Sequence, residues 1–132
     1  MRQMYKKSPP KVLGGDLETD NDGTVAWIVQ SSITDGVRWW HDTDVEGIRK
    51  TWTRLMWNYG NIIVYYHNLK YDLSFLKPVI AIFQGADCEV RATIRRHAPI
   101  SIRIKMDNNH SITLRDSLKK LPAELRKVGK MI

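Results

Sequence analysis

Cysteine is nearly absent: Cys88 is the single one in 132 residues. One thiol cannot close an internal disulfide, so the chain must be held by packing, and its thiol use suits a reducing, cytoplasmic setting. No stretch approaches the roughly 20 consecutive apolar residues of a membrane span. The N-terminus is basic but leads into no apolar signal core. His41, His97 and His110 have no cysteine or histidine at zinc-ligand spacing, which argues against a zinc site and leaves them as surface or capping residues. Cys88 lacks the positive surroundings that activate a thiol nucleophile. Internal repeats and low-complexity linkers are missing too, so solenoids and arrays are excluded. Acids are in the minority, with 14 Asp and Glu against 21 Lys and Arg and a net charge of +7. Such an excess favours polyanionic partners, because neutralising phosphates releases condensed counterions.

What remains is an ordinary globular composition, 42% hydrophobic and 27% charged. A chain of this length forms one domain able to bury about two-thirds of its unfolded surface. Residues 1–10 read as a flexible basic lead-in ending in Pro9-Pro10, and 11–132 as a single domain. Five tryptophans and five tyrosines are candidates for base stacking, though most are expected in the core.

Lys11 to Glu18, Val25 to Val29 and Val37 to Trp40 read as three strands of a meander, with Asp-Gly turn signals at 22–23 and 35–36. Thr43 with Glu46 forms a capping-box pattern ahead of a helix. Its apolar face is Val45, Ile48, Trp52, Leu55, Met56 and Tyr59, and Gly60 closes it. Residues 61–66 are apolar enough to predict a strand buried on both sides. A helix follows from about Asp72 to Phe83, with Pro78 expected to kink or restart it. Ile100, Ile102, Ile104 and Met106 alternate with polar residues as a strand, Asp107 to Asn109 turns the chain, and His110 to Leu114 returns it. Glu89 to Arg95 is expected to pair beside them. The tail from Ser117 to Lys130 is basic with helical leanings, interrupted at Pro122. Strands and helices in this order make an α/β layer arrangement.

Two polar clusters stand out. Asp16 and Glu18 lie two apart on a predicted strand and so share a face; a close carboxylate pair repels unless solvated or bridged by a hard cation such as Mg²⁺. His67, Asn68, Lys70 and Asp72 crowd the junction where the apolar strand meets a helix, the edge where α/β folds place their sites. Asp72 could cap that helix and Asn68 could satisfy its own turn. Neither role explains the whole cluster.

These residues carry a resemblance. Gly15-Asp16-Leu17-Glu18-Thr19, Tyr66-His67-Asn68-Leu69-Lys70-Tyr71-Asp72 and Asp116-Ser117-Leu118-Lys119-Lys120-Leu121-Pro122 resemble, in order and spacing, three motifs of one family. It is the N-terminal 3′→5′ exonuclease domain of protein-primed family B DNA polymerases of phages and linear plasmids. The resemblance implies a ribonuclease-H-like exonuclease fold, partial here: a mixed sheet flanked by helices, with an additional β-hairpin. It implies that Asp16, Glu18 and Asp72 correspond to three of four catalytic carboxylates that hold Mg²⁺ or Mn²⁺ in a two-metal site. Thr19, Asn68, Tyr71, Ser117 and Leu118 would hold the 3′ end of single-stranded DNA. Tyr65, His67 and Phe75 would contact that strand or shape its pocket, and Lys119 and Lys120 would meet phosphate. Arg91, Arg95, Arg96, Arg103 and Lys105 either extend that groove or are plain surface.

The family pattern also includes a fourth carboxylate in a Tyr-x-x-x-Asp motif and a catalytic lysine, and neither follows the third patch here. Asp116 is the one substitute in sight, and a structural role is expected for it. Palm and thumb are absent, which excludes DNA synthesis by this chain. The expectation is weak or no exonuclease activity alone, in a natural short protein, half of a split enzyme or a truncated piece. Its partners would be single-stranded DNA, the remainder of a split polymerase, a terminal (priming) protein or a host protein, in the host cytoplasm if phage-encoded and without a membrane. The alternative is a stand-alone phage protein that keeps the fold as a single-strand binder or as an inhibitor of a host protein.

Overall fold

Strands whose side chains alternate between apolar and polar can bury one face and wet the other. In the computed structural model, which describes residues 9–93, 101–106 and 109–117, seven such strands pair into one sheet. The elements in chain order are β1 (Lys11–Asn21), β2 (Ala26–Thr34), β3 (Trp39–Asp42), α1 (Val45–Tyr59), β4 (Asn61–Tyr66), α2 (Leu69–Gly85), β5 (Glu89–Thr93), β6 (Ser101–Lys105) and β7 (Ser111–Asp116). Across the sheet the order is β3-β2-β1-β4-β7-β6-β5. The pairs β1–β4 and β4–β7 are parallel and the others antiparallel, so the sheet is mixed. This is the expected α/β class, with β5 and β6 as the additional hairpin.

The core lies on one face. Leu13, Val64, Leu114 and Ile102 are directly paired neighbours from β1 to β6, all buried. Ile48, Trp52, Leu55 and Met56 of α1 and Leu76, Val79, Ile80 and Phe83 of α2 close over that side. Trp52 stacks on Phe83 with centroids 6.1 Å apart, joining the two helices. No helix among the described residues is long and apolar enough to cross a membrane.

Several expectations shift. β4 is not covered on both sides: Ile62, Val64 and Tyr66 are buried, whereas Asn61, Ile63 and Tyr65 are half-exposed, because the described helices cover one face. β2 runs on to Thr34, where Val29 was expected to end it, and β3 begins at Trp39 rather than Val37, because the turn between them is a tight one over 35–38. Asp35 accepts from the amides of Val37 and Arg38, Gly36 takes φ +96°, and pairing resumes only at Thr34 with Trp39. The cap of α1 is Asp44, not Thr43; its carboxylate accepts from the Gly47 amide at 2.7 Å, and Glu46 pairs with Arg49. Gly60 closes α1 as expected, with φ +82°. α2 begins at Leu69, ahead of Asp72, and runs through Pro78 to Gly85 without restarting, since Leu76, Val79 and Ile80 on either side of the proline are packed into the core. Aromatics are less buried than expected. Trp52 and Tyr66 are enclosed, but Trp27, Trp39, Trp57 and Tyr71 are each more than a third exposed.

Candidate functional site

Parallel pairing brings strand ends of the same polarity together, and three of them meet here. The last β1–β4 partners are Gly15 and Tyr66, and the last β4–β7 partners are Tyr66 and Asp116. Asp16 therefore follows directly on the row that holds Tyr66 and Asp116. The chain turns at His67 and Asn68, both exposed, and α2 then carries Asp72 in its first turn. Asn68 is the N-cap, but through its backbone: its carbonyl accepts from the amides of Tyr71 and Asp72, and its side chain caps nothing.

Hydrogen bonds lace the three sequence patches at this edge. Thr19 Oγ1 lies 3.0 Å from Tyr71 Oη, joining the first patch to the second. The Ser117 amide donates to the Tyr66 carbonyl at 2.9 Å, and Ser117 Oγ donates to the same oxygen at 3.2 Å, joining the third. Tyr71 leans on Phe75 with ring centroids 5.4 Å apart. Arg115 Nη1 donates to Tyr65 Oη at 3.5 Å. Gly15 makes the close packing feasible: a Cβ there would stand 2.6 Å from Tyr66 Cε1, so the tyrosine ring lies across bare backbone.

The carboxylates are electrostatically linked. Asp72 is buried, and its pKa is pushed up to about 6, first by loss of hydration and then by Asp16 and Asp116, against a lowering from His67. Asp16 is raised by burial and by Glu18, with the Leu17 amide and His67 opposing. Burial and then Asp72 suppress ionisation of the Tyr66 hydroxyl, which stays neutral. Repulsion thus runs from Glu18 through Asp16 and Asp72 to Asp116. A hard divalent cation suits such oxygen donors. Yet among the described residues no three Asp, Glu, His or Cys side chains are grouped closely enough to hold a metal ion. The donors have the chemistry of a divalent site without an enclosing cage, and no hydrolytic step follows from them.

Of the residues singled out by sequence, Asp16, Glu18, Thr19, Tyr65, His67, Asn68, Tyr71, Asp72, Phe75 and Ser117 belong to the strands, turn and helix of this edge. Leu118, Lys119 and Lys120 lie outside the described residues, as do Arg95, Arg96 and most of the basic tail. Asp116, expected to be structural, acts directly on Asp72. The β4–β7 register brings it to this edge, opposite Tyr66. A second surprise lies on the face that carries Asp16, whose neighbours across β2 and β3 are Ser32 and His41. His41 stacks on Trp39, centroids 5.8 Å apart and planes within 6°, while Gln30 and Ser32 bond its Nδ1 at 2.9 and 3.0 Å. Both lie on the edge strand β3 and His41 is exposed, as expected, but the stacking and the two bonds to Nδ1 fix the ring in place.

No family model and no curated protein matches the chain. Among solved structures, its fold is that of a segment of a DNA polymerase. The particular neighbours are Phi29 DNA polymerase, a protein-primed family B enzyme, in two complexes. The ternary complex with primer-template DNA and incoming nucleotide substrates matches at TM-score 0.65 and 18% identity, over 93% of this chain and 23% of that one. The post-translocation binary complex with primer-template DNA matches at TM-score 0.65 and 19% identity, over 92% and 23%. The chain spans about a quarter of the length of those polymerases. At that identity the likeness establishes the fold, and it agrees with the resemblance read from the three patches.

Proposed function

We propose that the chain is an exonuclease-like domain of DNA-polymerase descent, of ribonuclease-H-like type, that binds the 3′ end of single-stranded DNA. The observation that carries this reading is the lacing of Thr19 to Tyr71 and of Ser117 to Tyr66, which gathers three sequence-distant patches at one edge beside Asp16 and Asp72. The matched polymerase is itself described with primer-template DNA, which supports a nucleic-acid partner. Exposed Tyr71 and its neighbour Phe75 offer a stacking surface for a terminal base. Asn68, His67 and Ser117 offer polar contacts to the terminus, and Lys119 and Lys120 meet the following phosphates. Mg²⁺ or Mn²⁺ is the ion this donor set would take, with Asp16, Glu18 and Asp72 as its ligands. Hydrolysis by the chain alone is weak or absent on this reading, because two-metal displacement depends on carboxylates that fix the ions, and the sequence contains no Tyr-x-x-x-Asp to supply the fourth.

Binding of a fluorescent single strand with a free 3′ end, against a circular strand of equal length, tests the reading. Wild type should prefer the free end, and Tyr71→Ala should lose on the order of tenfold in affinity for it, the value of one stacked base. Equal affinity for both strands would refute terminus binding. Incubation of the labelled strand with Mg²⁺ or Mn²⁺ tests the second part: 3′→5′ digestion abolished by Asp16→Ala would show the isolated chain to be an active nuclease.

A further inference from the structure

We infer that the sheet face opposite the helices is a second nucleic-acid contact, for the sugar-phosphate backbone of a single DNA strand away from its terminus. Pairing sets out the side chains of this face in rows. One runs Arg91, Arg103, Thr113, Ile63 across β5, β6, β7 and β4; the next runs Thr93, Ser101, Arg115, Tyr65. Between these rows and Pro9-Pro10 lies a shallow groove of about 530 Å³. Arg91, Arg103 and Arg115 are exposed. Arg91 and Arg103 are direct cross-strand partners, an arrangement that destabilises a sheet unless something neutralises it. Glu89 pairs with Arg91, but among the described residues no acid pairs with Arg103 or Arg115.

The occupant is argued from charge and chemistry. Three guanidiniums with the hydroxyls of Thr93, Ser101 and Thr113 are the donor types that hold phosphate oxygens without reading bases. A protein partner would need an exposed apolar or aromatic anchor at the centre. Here the centre is guanidinium and hydroxyl over half-buried Ile63. The groove reaches the carboxylate edge through Arg115, which holds Tyr65 one residue before Tyr66. A strand could therefore continue from the terminus onto this face, but the inference stands on the face's own charge and does not need terminus binding.

The test uses a circular single strand, which has no end. Against wild type, the Arg91→Gln/Arg103→Gln/Arg115→Gln chain should lose affinity, and the slope of log affinity against log salt should fall by about 2, three contacts at roughly 0.7 each. The corresponding triple lysine chain should keep the slope. Arg103→Gln alone should lower it by about 0.7 and keep or raise the melting temperature, since it relieves the Arg91 repulsion. The preference for a strand with a free 3′ end over the circular strand should survive in the glutamine variants, which separates this surface from the terminus site. An unchanged slope in both glutamine variants would overturn the inference. So would equally effective displacement of the strand by poly-glutamate, which would mark the face as an acidic-protein surface.

Discussion

Asp72 shows how much a single side chain at this edge is asked to tolerate. Its carboxyl titrates near 3.8 in the unfolded chain and about 6 in the folded one. Between those values the native state holds the extra proton, so this contribution to stability is present at low pH and is lost as pH rises through about 6. A shift of that size corresponds to on the order of 3 kcal/mol. In chelator-treated buffer, Asp72→Asn should therefore be more stable than wild type at pH 7.5, with the advantage vanishing near pH 4. Urea melts across that range measure it, and equal midpoints at pH 7.5 would contradict it. The Thr19–Tyr71 bond is exposed and worth less. A double-mutant cycle of Thr19→Val and Tyr71→Phe should return a coupling of about 0.5–1.5 kcal/mol. A coupling of zero would mean that the bond does not join the patches in solution.

At the scale of elements, β1 is constrained from the side as well as along its length. Gly15→Ala would drive a methyl into Tyr66 and Val64, so a loss of about 1–3 kcal/mol is expected in chemical denaturation. A neutral result would mean the strand can bow away from β4. Asp44→Ala removes the carboxylate that accepts from Gly47 and should cost about 1 kcal/mol, whereas Thr43→Ala should be nearly silent. The contrast also shows what local pattern can convey. Thr43 and Asp44 are both competent caps, and only the path of the chain out of β3 decides which one adopts the extended backbone a cap requires. Alternation located β6 and β7 well, because Ile102 and Ile104 line one face of the first, and Ile112 and Leu114 the same face of the second, between polar residues. It misjudged β4, since apolar Ile63 and Tyr65 sit on the face the described helices leave open.

At the scale of the whole molecule, charge is divided by place. The strand edge is acidic and self-repelling at Asp16, Asp72 and Asp116, while the adjoining open face is basic at Arg91, Arg103 and Arg115. Binding to single-stranded DNA should accordingly fall steeply with salt, and the salt dependence should persist in Asp16→Asn, because the phosphate contacts lie elsewhere. A salt dependence that vanished in that variant would place all of the binding at the carboxylate edge. The composition, the alternating strands, the helix periods and the three polar patches are local in sequence, and they were determined there: each depends on residues a few positions apart. The order β1-β4-β7 is not local. It follows from how two helices cover one face of a sheet, and no short-range pattern records which parallel strands become neighbours. That order brings Asp116 to the edge where its charge acts on Asp72, a relation decided by strand pairing across long stretches of chain, while the register of the neighbouring strands β5 and β6 lines up Arg91 with Arg103.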